Sequence, residues 1–244
     1  MEVLYGLHPV EEAVRSGARR LDCVMLARER KDERLERLAE ACRAAGLRVS
    51  LESRDHLTRM ARTDAHQGVL ALTRAIAPVE LDDLVAGGGA TPFLLVAAGI
   101  TDPRNLGALL RSAECAGVTG VVLPRHRSAR LSPTVAKVAA GAIEHLAFST
   151  VPGIPVGLER LGALGVMTVG LAGDAPRSLY DLDVADSPVA LVLGEEERGL
   201  APLVRKRCDT LVSIPQLGQV ESLNVSVAGA VALFEVARQR ARSR

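Results

Sequence analysis

The chain has 244 residues, a formal net charge of +1, a hydrophobic fraction of 48% and only 2% aromatic residues, with no tryptophan. That length fits one large domain or two modest ones, and near-neutral charge supplies no global field for a polyanion partner. The scarcity of aromatics argues against RNA binding on a stacking platform and dictates an aliphatic core of Leu, Val and Ala.

The opening stretch "MEVLYGLHPVEEAVRSG" is amphipathic and acidic, unlike a signal peptide. No apolar run reaches the roughly 18 residues of a membrane span, so the sequence predicts a soluble, cytoplasmic protein. "LDCVMLA", "LRVSLES" and "QGVLALTR" are predicted strands. Between the first two, "DERLERLAEACRAAG" has apolar residues at helical spacing, an N-cap-like start at Asp32 and a stop at Gly46. Residues 1–76 therefore form a small α/β front domain. The Pro- and Gly-punctuated "APVELDDLVAGGGATP" predicts a linker over 77–91.

From residue 92 to 244 strand and helix patterns alternate again, with strands at "FLLVAAG", "GVVLP", "VMTVGLAG", "VALVLG" and "TLVSIP". Several are unbroken apolar runs, the signature of strands buried on both faces of a parallel sheet, so the fold class is α/β. The cysteines Cys23, Cys42, Cys115 and Cys208 are isolated, with no CxxC or Cys/His spacing, which predicts neither a metal site nor a disulfide framework.

Ligands of such sheets gather at the carboxyl ends of the strands, and three segments there carry chemistry. In "GITDPRNLGALLRSAECAGV", Pro103 and Asn105 mark a helix start, Leu106, Leu109, Leu110 and Ala113 give a buried face, and Arg111 lies inside the helix. Asn105 also reads as a simple N-cap and Arg111 as a surface residue. In "LVLGEEERGL" a buried strand runs into Gly194 and three carboxylates. The chain holds neither GxxxxGK[ST] nor GxGxxG, and carboxylates repel phosphate, so this loop suits a cationic or phosphate-free ligand, or is an acidic turn. In "IPQLGQVESLNVSVAGAV", Ser222 and Asn224 stand at the entrance of an apolar, buried helix, as caps or as ligand contacts. Arg104, Arg111, Arg125, Arg127, Arg130 and Lys137 face only Asp102 and Glu114 in their stretch, and Arg238, Arg240, Arg242 and Arg244 form a basic tail.

The ordered pieces "DPRNLGALLRSAECAGV", "LVLGEEERGL" and "SIPQLGQVESLNVSVA" resemble the three motifs of the SpoU branch of the SPOUT methyltransferases. "YGLHPVEEAV" and "HQGVLAL" resemble the small RNA-binding domain that precedes the catalytic domain in its ribosomal-RNA guanosine 2′-O-methyltransferase subgroup. The resemblance implies a C-terminal domain with a deep trefoil knot over 92–244, an RNA-binding front domain, a homodimer with its active site near the subunit interface, and S-adenosyl-L-methionine as cofactor. The partner it implies is 23S rRNA or a large-subunit assembly particle. It assigns Asn105, Arg111, Glu196, Ser222 and Asn224 to catalysis. Gly194, Ile214 and Leu223 fall in the cofactor-binding loops, with Gln216, Leu217 and Val225 beside them. Arg104, Arg125, Arg127 and Arg130 are candidates for tracking RNA. The chain departs from the family pattern at Glu195 and Glu197, at Ala98 where an Asp is common, and at Ala139 where many members have Ser. A methyltransferase for tRNA or another ribosomal-RNA ribose, and a non-catalytic ribosome-assembly factor, are the alternatives.

Overall fold

A computed structural model describes residues 1–30, 32–87, 89–220 and 222–242. Gly88 in the expected linker and Arg244 in the basic tail lie outside the described residues. The chain divides into a front unit, Met1–Ile76 with Leu131–His145, and a second unit, Ala77–Arg130 with Leu146–Arg244.

The front unit begins with β1 (Glu2–Tyr5), α1 (Leu7–Ser16), β2 (Leu21–Ala27), α2 (Glu33–Ala44), β3 (Val49–Glu52), α3 (Arg54–Ala61) and β4 (Val69–Thr73). The sheet order is β1-β4-β2-β3, with β4 antiparallel to β1 and β2, and β3 parallel to β2. Helix α2 starts as its sequence predicts: the Asp32 carboxylate accepts the Leu35 N–H at 3.0 Å, which satisfies one of the free donors of the first turn. The strand over 2–5 was not evident, because it runs directly into the amphipathic pattern of α1 with no more than Gly6 between them.

The second unit contains α4 (Leu81–Ala86), β5 (Phe93–Ala97), α5 (Pro103–Cys115) and β6 (Gly120–Pro124). Helix α6 (Pro133–Val138) follows inside the front unit, before β7 (Phe148–Val151), α7 (Ile154–Ala163), β8 (Met167–Leu171), β9 (Val189–Leu193), α8 (Pro202–Arg207), β10 (Thr210–Val212) and α9 (Val225–Arg242). Six parallel strands run in the order β10-β8-β9-β5-β6-β7. Both faces are covered. Leu81, Leu84, Leu158, Leu161 and Val204 from α4, α7 and α8 pack on Leu94, Val96, Ala190 and Val192, while α5 and α9 pack on each other and α9 on β9. Every residue of β5 and β9 is buried, as the unbroken apolar runs predicted.

Two expectations change. The stretch 77–91 is not an open connection: α4 buries Leu81 and Leu84 in the second unit's core. Its apolar residues span little more than one turn, too few to show a period. Helix α9 is not buried all round. Leu233 and Val236 are fully enclosed, yet Val227 and Phe234 are 49% and 50% exposed. All four cysteines are free, and burial holds the Cys42 and Cys208 thiols up at about 11, so both stay protonated at neutral pH. Among the described residues no helix is long and apolar enough to cross a membrane.

Candidate functional site

Four loops leave the carboxyl ends of β5, β8, β9 and β10 at one edge of the second sheet, and backbone hydrogen bonds tie them in pairs. Ala98 N–H reaches Leu193 O at 2.7 Å, and Ala172 N–H reaches Val212 O at 3.0 Å. The loop after β9 closes on itself: Glu195 and Gly199 exchange backbone bonds of 2.9 and 3.0 Å. This brings the Gly199 backbone against Gly194, where an added Cβ would stand 2.1 Å from the Gly199 carbonyl carbon. No larger residue fits at 194 without opening the loop.

A cavity of about 300 Å³ lies inside these loops, at the lower end of small-ligand sites. Leu171, Leu193, Leu200, Val212, Ile214 and Leu223 give it an apolar lining, with Gly194 beneath the loop and Gln216, Ser222 and Val225 at its border. Its charges are Asp174, Glu195, Glu196 and Glu197 against Arg198 and Arg205. Arg205 grips Asp174 through two hydrogen bonds of 2.9 and 3.0 Å and holds that carboxyl below the usual carboxylate range. The remaining carboxylates outnumber Arg198, so the cavity favours a cation and disfavours phosphate.

Next to it, three loops are joined by one chain of side-chain hydrogen bonds. Asn224 donates from Nδ2 to Asn105 Oδ1 at 3.0 Å, and Asn105 donates from Nδ2 to Glu196 Oε1 at 3.1 Å. Asn224 Oδ1 accepts from the backbone N–H and the hydroxyl of Ser226 at 2.9 and 2.6 Å. Both amides are thereby fixed in orientation, with every donor pointing towards Glu196. Asn105 is free to do this because it is not the helix cap: Asp102 is, accepting the Arg104 N–H at 2.8 Å. Asn224 does both jobs, receiving the first-turn N–H of α9 and reaching across to α5. Helix α9 comes this close to α5 at Gly229, where a Cβ would lie 2.4 Å from Leu109 Cδ1.

Other sequence-predicted residues stand apart. Arg111 is exposed on α5, on the same stripe as Arg104 seven residues earlier, and belongs neither to the amide chain nor to the cavity lining. Leu217 is 100% exposed and lies outside the lining. Ser222 reaches the cavity. Arg125, Arg127 and Arg130 are all exposed in the loop after β6. Two bonds pin that loop beside α5: Ser128 Oγ and Ala129 N–H both donate to Ile100 O, at 3.0 and 2.8 Å. Arg127 has φ of 57°, a left-handed conformation that costs an L-residue about 1 kcal/mol. Sequence reading missed Asp174 and Arg205, whose loop and helix carry no motif.

A doubly covered parallel sheet, a cavity at its carboxyl edge that favours a cation over phosphate and an exposed arginine track thus stand in one unit. Residues 92–234 match the family model described as SpoU rRNA Methylase family, and residues 3–79 match the model for RNA 2′-O ribose methyltransferase substrate binding. The chain belongs to the SpoU rRNA methylase family. It is 44% identical over 240 residues to the 23S rRNA (guanosine-2′-O-)-methyltransferase RlmB of Ralstonia nicotianae, covering 98% of this chain and 96% of the relative. It is 40% identical over 242 residues to the RlmB of Escherichia coli K12, covering 98% and 99%. Among solved structures, an RNA 2′-O ribose methyltransferase superposes with a TM-score of 0.81 at 27% identity, over 98% of this chain and 88% of that one. AviRb of Streptomyces viridochromogenes with its cofactor AdoMet shares the fold, with a TM-score of 0.81 at 24% identity, over 98% and 90%.

Proposed function

We propose that this protein, a cytoplasmic homodimer, methylates the ribose 2′-hydroxyl of a guanosine in 23S rRNA, free or in a large-subunit assembly particle, with S-adenosyl-L-methionine as donor. Residues 1–76 serve as the RNA substrate-binding domain and 92–244 as the methyltransferase domain, which the resemblance gives a trefoil knot. A chain trace with no threading in the C-terminal part removes the knot. The reading rests above all on the hydrogen-bond chain that joins Asn224, Asn105 and Glu196 across all three motifs beside an acidic cavity.

The residues present fit that cofactor. Leu171, Leu200, Ile214 and Leu223 offer walls for a flat ring, and the uncompensated carboxylates suit a sulfonium and an amine. When bound, the cofactor supplies a methyl group on a cationic sulfur. Gly194 and the backbone around Ile214, Gln216, Leu223 and Val225 hold it, and Ser222 hydrogen-bonds its polar end.

Arg111 binds a phosphate flanking the acceptor ribose and stabilises the oxygen as it gains negative charge. Asn105 and Asn224 orient the acceptor, held in place by Glu196, since in-line attack depends on alignment. Arg104, Arg125, Arg127 and Arg130 grip phosphates and set register without reading sequence. The exposed Val227 and Phe234, seven residues apart on α9, support the dimer, because a partner subunit would cover them. Sedimentation as a monomer at micromolar concentration removes that part.

The test is incubation with labelled S-adenosylmethionine and unmodified large-subunit rRNA, followed by digestion to nucleosides. Labelled 2′-O-methylguanosine is expected. Label in tRNA alone overturns the choice of RNA, and bound cofactor without transfer to any RNA overturns the enzyme.

A further inference from the structure

The stretch Leu131–His145 lies inside the part of the chain matched to the SpoU methylase model, yet it is built into the front unit. Four contacts hold it there. Arg19 forms a two-pronged ion pair with Glu144, with Nε to Oε2 at 2.9 Å and a second bond between Nη2 and Oε1. The Glu144 side chain is 0% exposed and that of Arg19 7%. His145 Nε2 lies 3.0 Å from Glu12 Oε2. Gly141, with φ of 91°, lets the backbone meet Glu12, whose Cβ would stand 2.6 Å from an added Cβ. Lys137 reaches the Gln67 side-chain oxygen and fills the space a side chain at Gly6 would need.

A buried ion pair adds little net stability, because desolvating both charges offsets their attraction, but loss of either partner is costly because it leaves the other charge buried and unpaired. The pair joins residues 125 positions apart. Directly before the segment runs the arginine loop Arg125–Arg130, pinned at Ser128 and Ala129 to Ile100. Its other end continues into α6.

We propose that Arg19 and Glu144 are positioning residues for RNA: by holding segment 131–145 in place they fix the stretch of chain into which the arginine loop runs, and with it the grip of Arg125, Arg127 and Arg130 on RNA phosphates. This rests on the RNA-methyltransferase reading. Neither residue touches the cofactor cavity, so the pair acts on RNA binding and not on methyl transfer.

The test uses the full chain with Arg19→Lys, which keeps the charge and loses the fork, Glu144→Gln, and the exchanged pair Arg19→Glu with Glu144→Arg. Steady-state methylation of rRNA, cofactor affinity and amide hydrogen exchange are measured on each. Both single changes are expected to speed exchange in 131–145 and raise KM for rRNA about 10-fold, in the usual range of coupling between sites. Turnover at saturating RNA and cofactor affinity stay at the wild-type level, and the exchanged pair restores KM. An unchanged KM despite faster exchange overturns the proposal, as does a fall in turnover or cofactor affinity at unchanged KM. If the exchanged pair does not fold, Lys137→Met, which removes the neighbouring anchor without burying a lone charge, decides on the same readouts. A wild-type chain that methylates no RNA sinks the functional reading itself, whereas a methylating wild type with an unmoved KM in the variants sinks only this proposal.

Discussion

Two loops leave the same edge of the second sheet and are built in opposite ways. The loop after β9 is cramped, closed by its own backbone bonds and acidic. The loop after β6 is open and basic, pinned at Val151 and Ile100, and holds Arg127 in a strained conformation. A small cation needs an enclosed site whose shape is set before it arrives. A long polyanion needs reach and exposed charge. On the proposed function, one sheet edge serves two partners of opposite sign, with the amide chain through Asn105 at their border.

Substitutions that damage one side alone test this division. The largest effect is expected from Arg111→Ala, on the RNA side: methyl transfer falls about 100- to 1,000-fold, the loss typical of removing a group that stabilises developing charge, while cofactor affinity by calorimetry stays put. Near-normal turnover would remove Arg111 from the reaction. Gly194→Ala attacks the other side. The new Cβ meets the Gly199 backbone, at a cost of about 3 kcal/mol, seen as lost cofactor affinity and a lower Tm, with rRNA binding retained. Asn224→Ala breaks the border and is expected to cost about 1–3 kcal/mol, shared between cofactor affinity and rate; if neither moves, Asn224 is only a cap for α9. Changing Arg125, Arg127 and Arg130 singly to Ala should weaken RNA binding uniformly across sequences. Each removal should reduce the slope of log affinity against log salt by about 1, and an unaltered slope would take these arginines out of the interface.

The smallest effect belongs to the front unit. His66 is buried, its Nδ1 accepting the Gly68 N–H at 3.0 Å and its Nε2 lying 3.0 Å from Thr58 Oγ1. Burial pushes the imidazole below its usual range, Arg54 adds to this, and Asp64 opposes it. As pH falls the unfolded chain therefore takes up the proton first. The stability that neutral His66 contributes is complete above the unfolded value of about 6.5 and declines below it, towards the lowered folded value. Thermal melts from pH 8 to about 5 should show this decline in the wild type and not in His66→Asn, whose amide stays neutral; parallel curves would refute it.

How much of this could be read beforehand follows from how local each feature is. Strands β5 and β9 were legible because burial on both faces makes every residue apolar. The edge strands β1 and β7 were not, although β3 and β10, as short and also at an edge, were read from their β-branched and apolar residues. The names of the site residues came from three motifs, but their arrangement did not. Whether Asn105 caps its helix depends on Asp102 winning that position, and no sequence rule sets the direction in which the freed amide then points. Leu217, placed by resemblance beside the cofactor, is fully exposed, because position in a motif does not fix which side of a loop a residue faces. The partition of 131–145 into the front unit rests on contacts such as Arg19 to Glu144, which no local pattern encodes.

That partition bears on how the protein is made. The ribosome delivers chain from the N-terminus, and domains tend to fold as they emerge. Strands β1 to β4 are complete once residue 73 has been released, but Arg19 gains its partner only when Glu144 follows. For all the synthesis in between, Arg19 has no counter-charge and the cleft at Gly6 no lysine to fill it. The front unit is thus finished by a segment from the middle of the second domain, and a fragment cut at residue 76 would stop at that half-built stage.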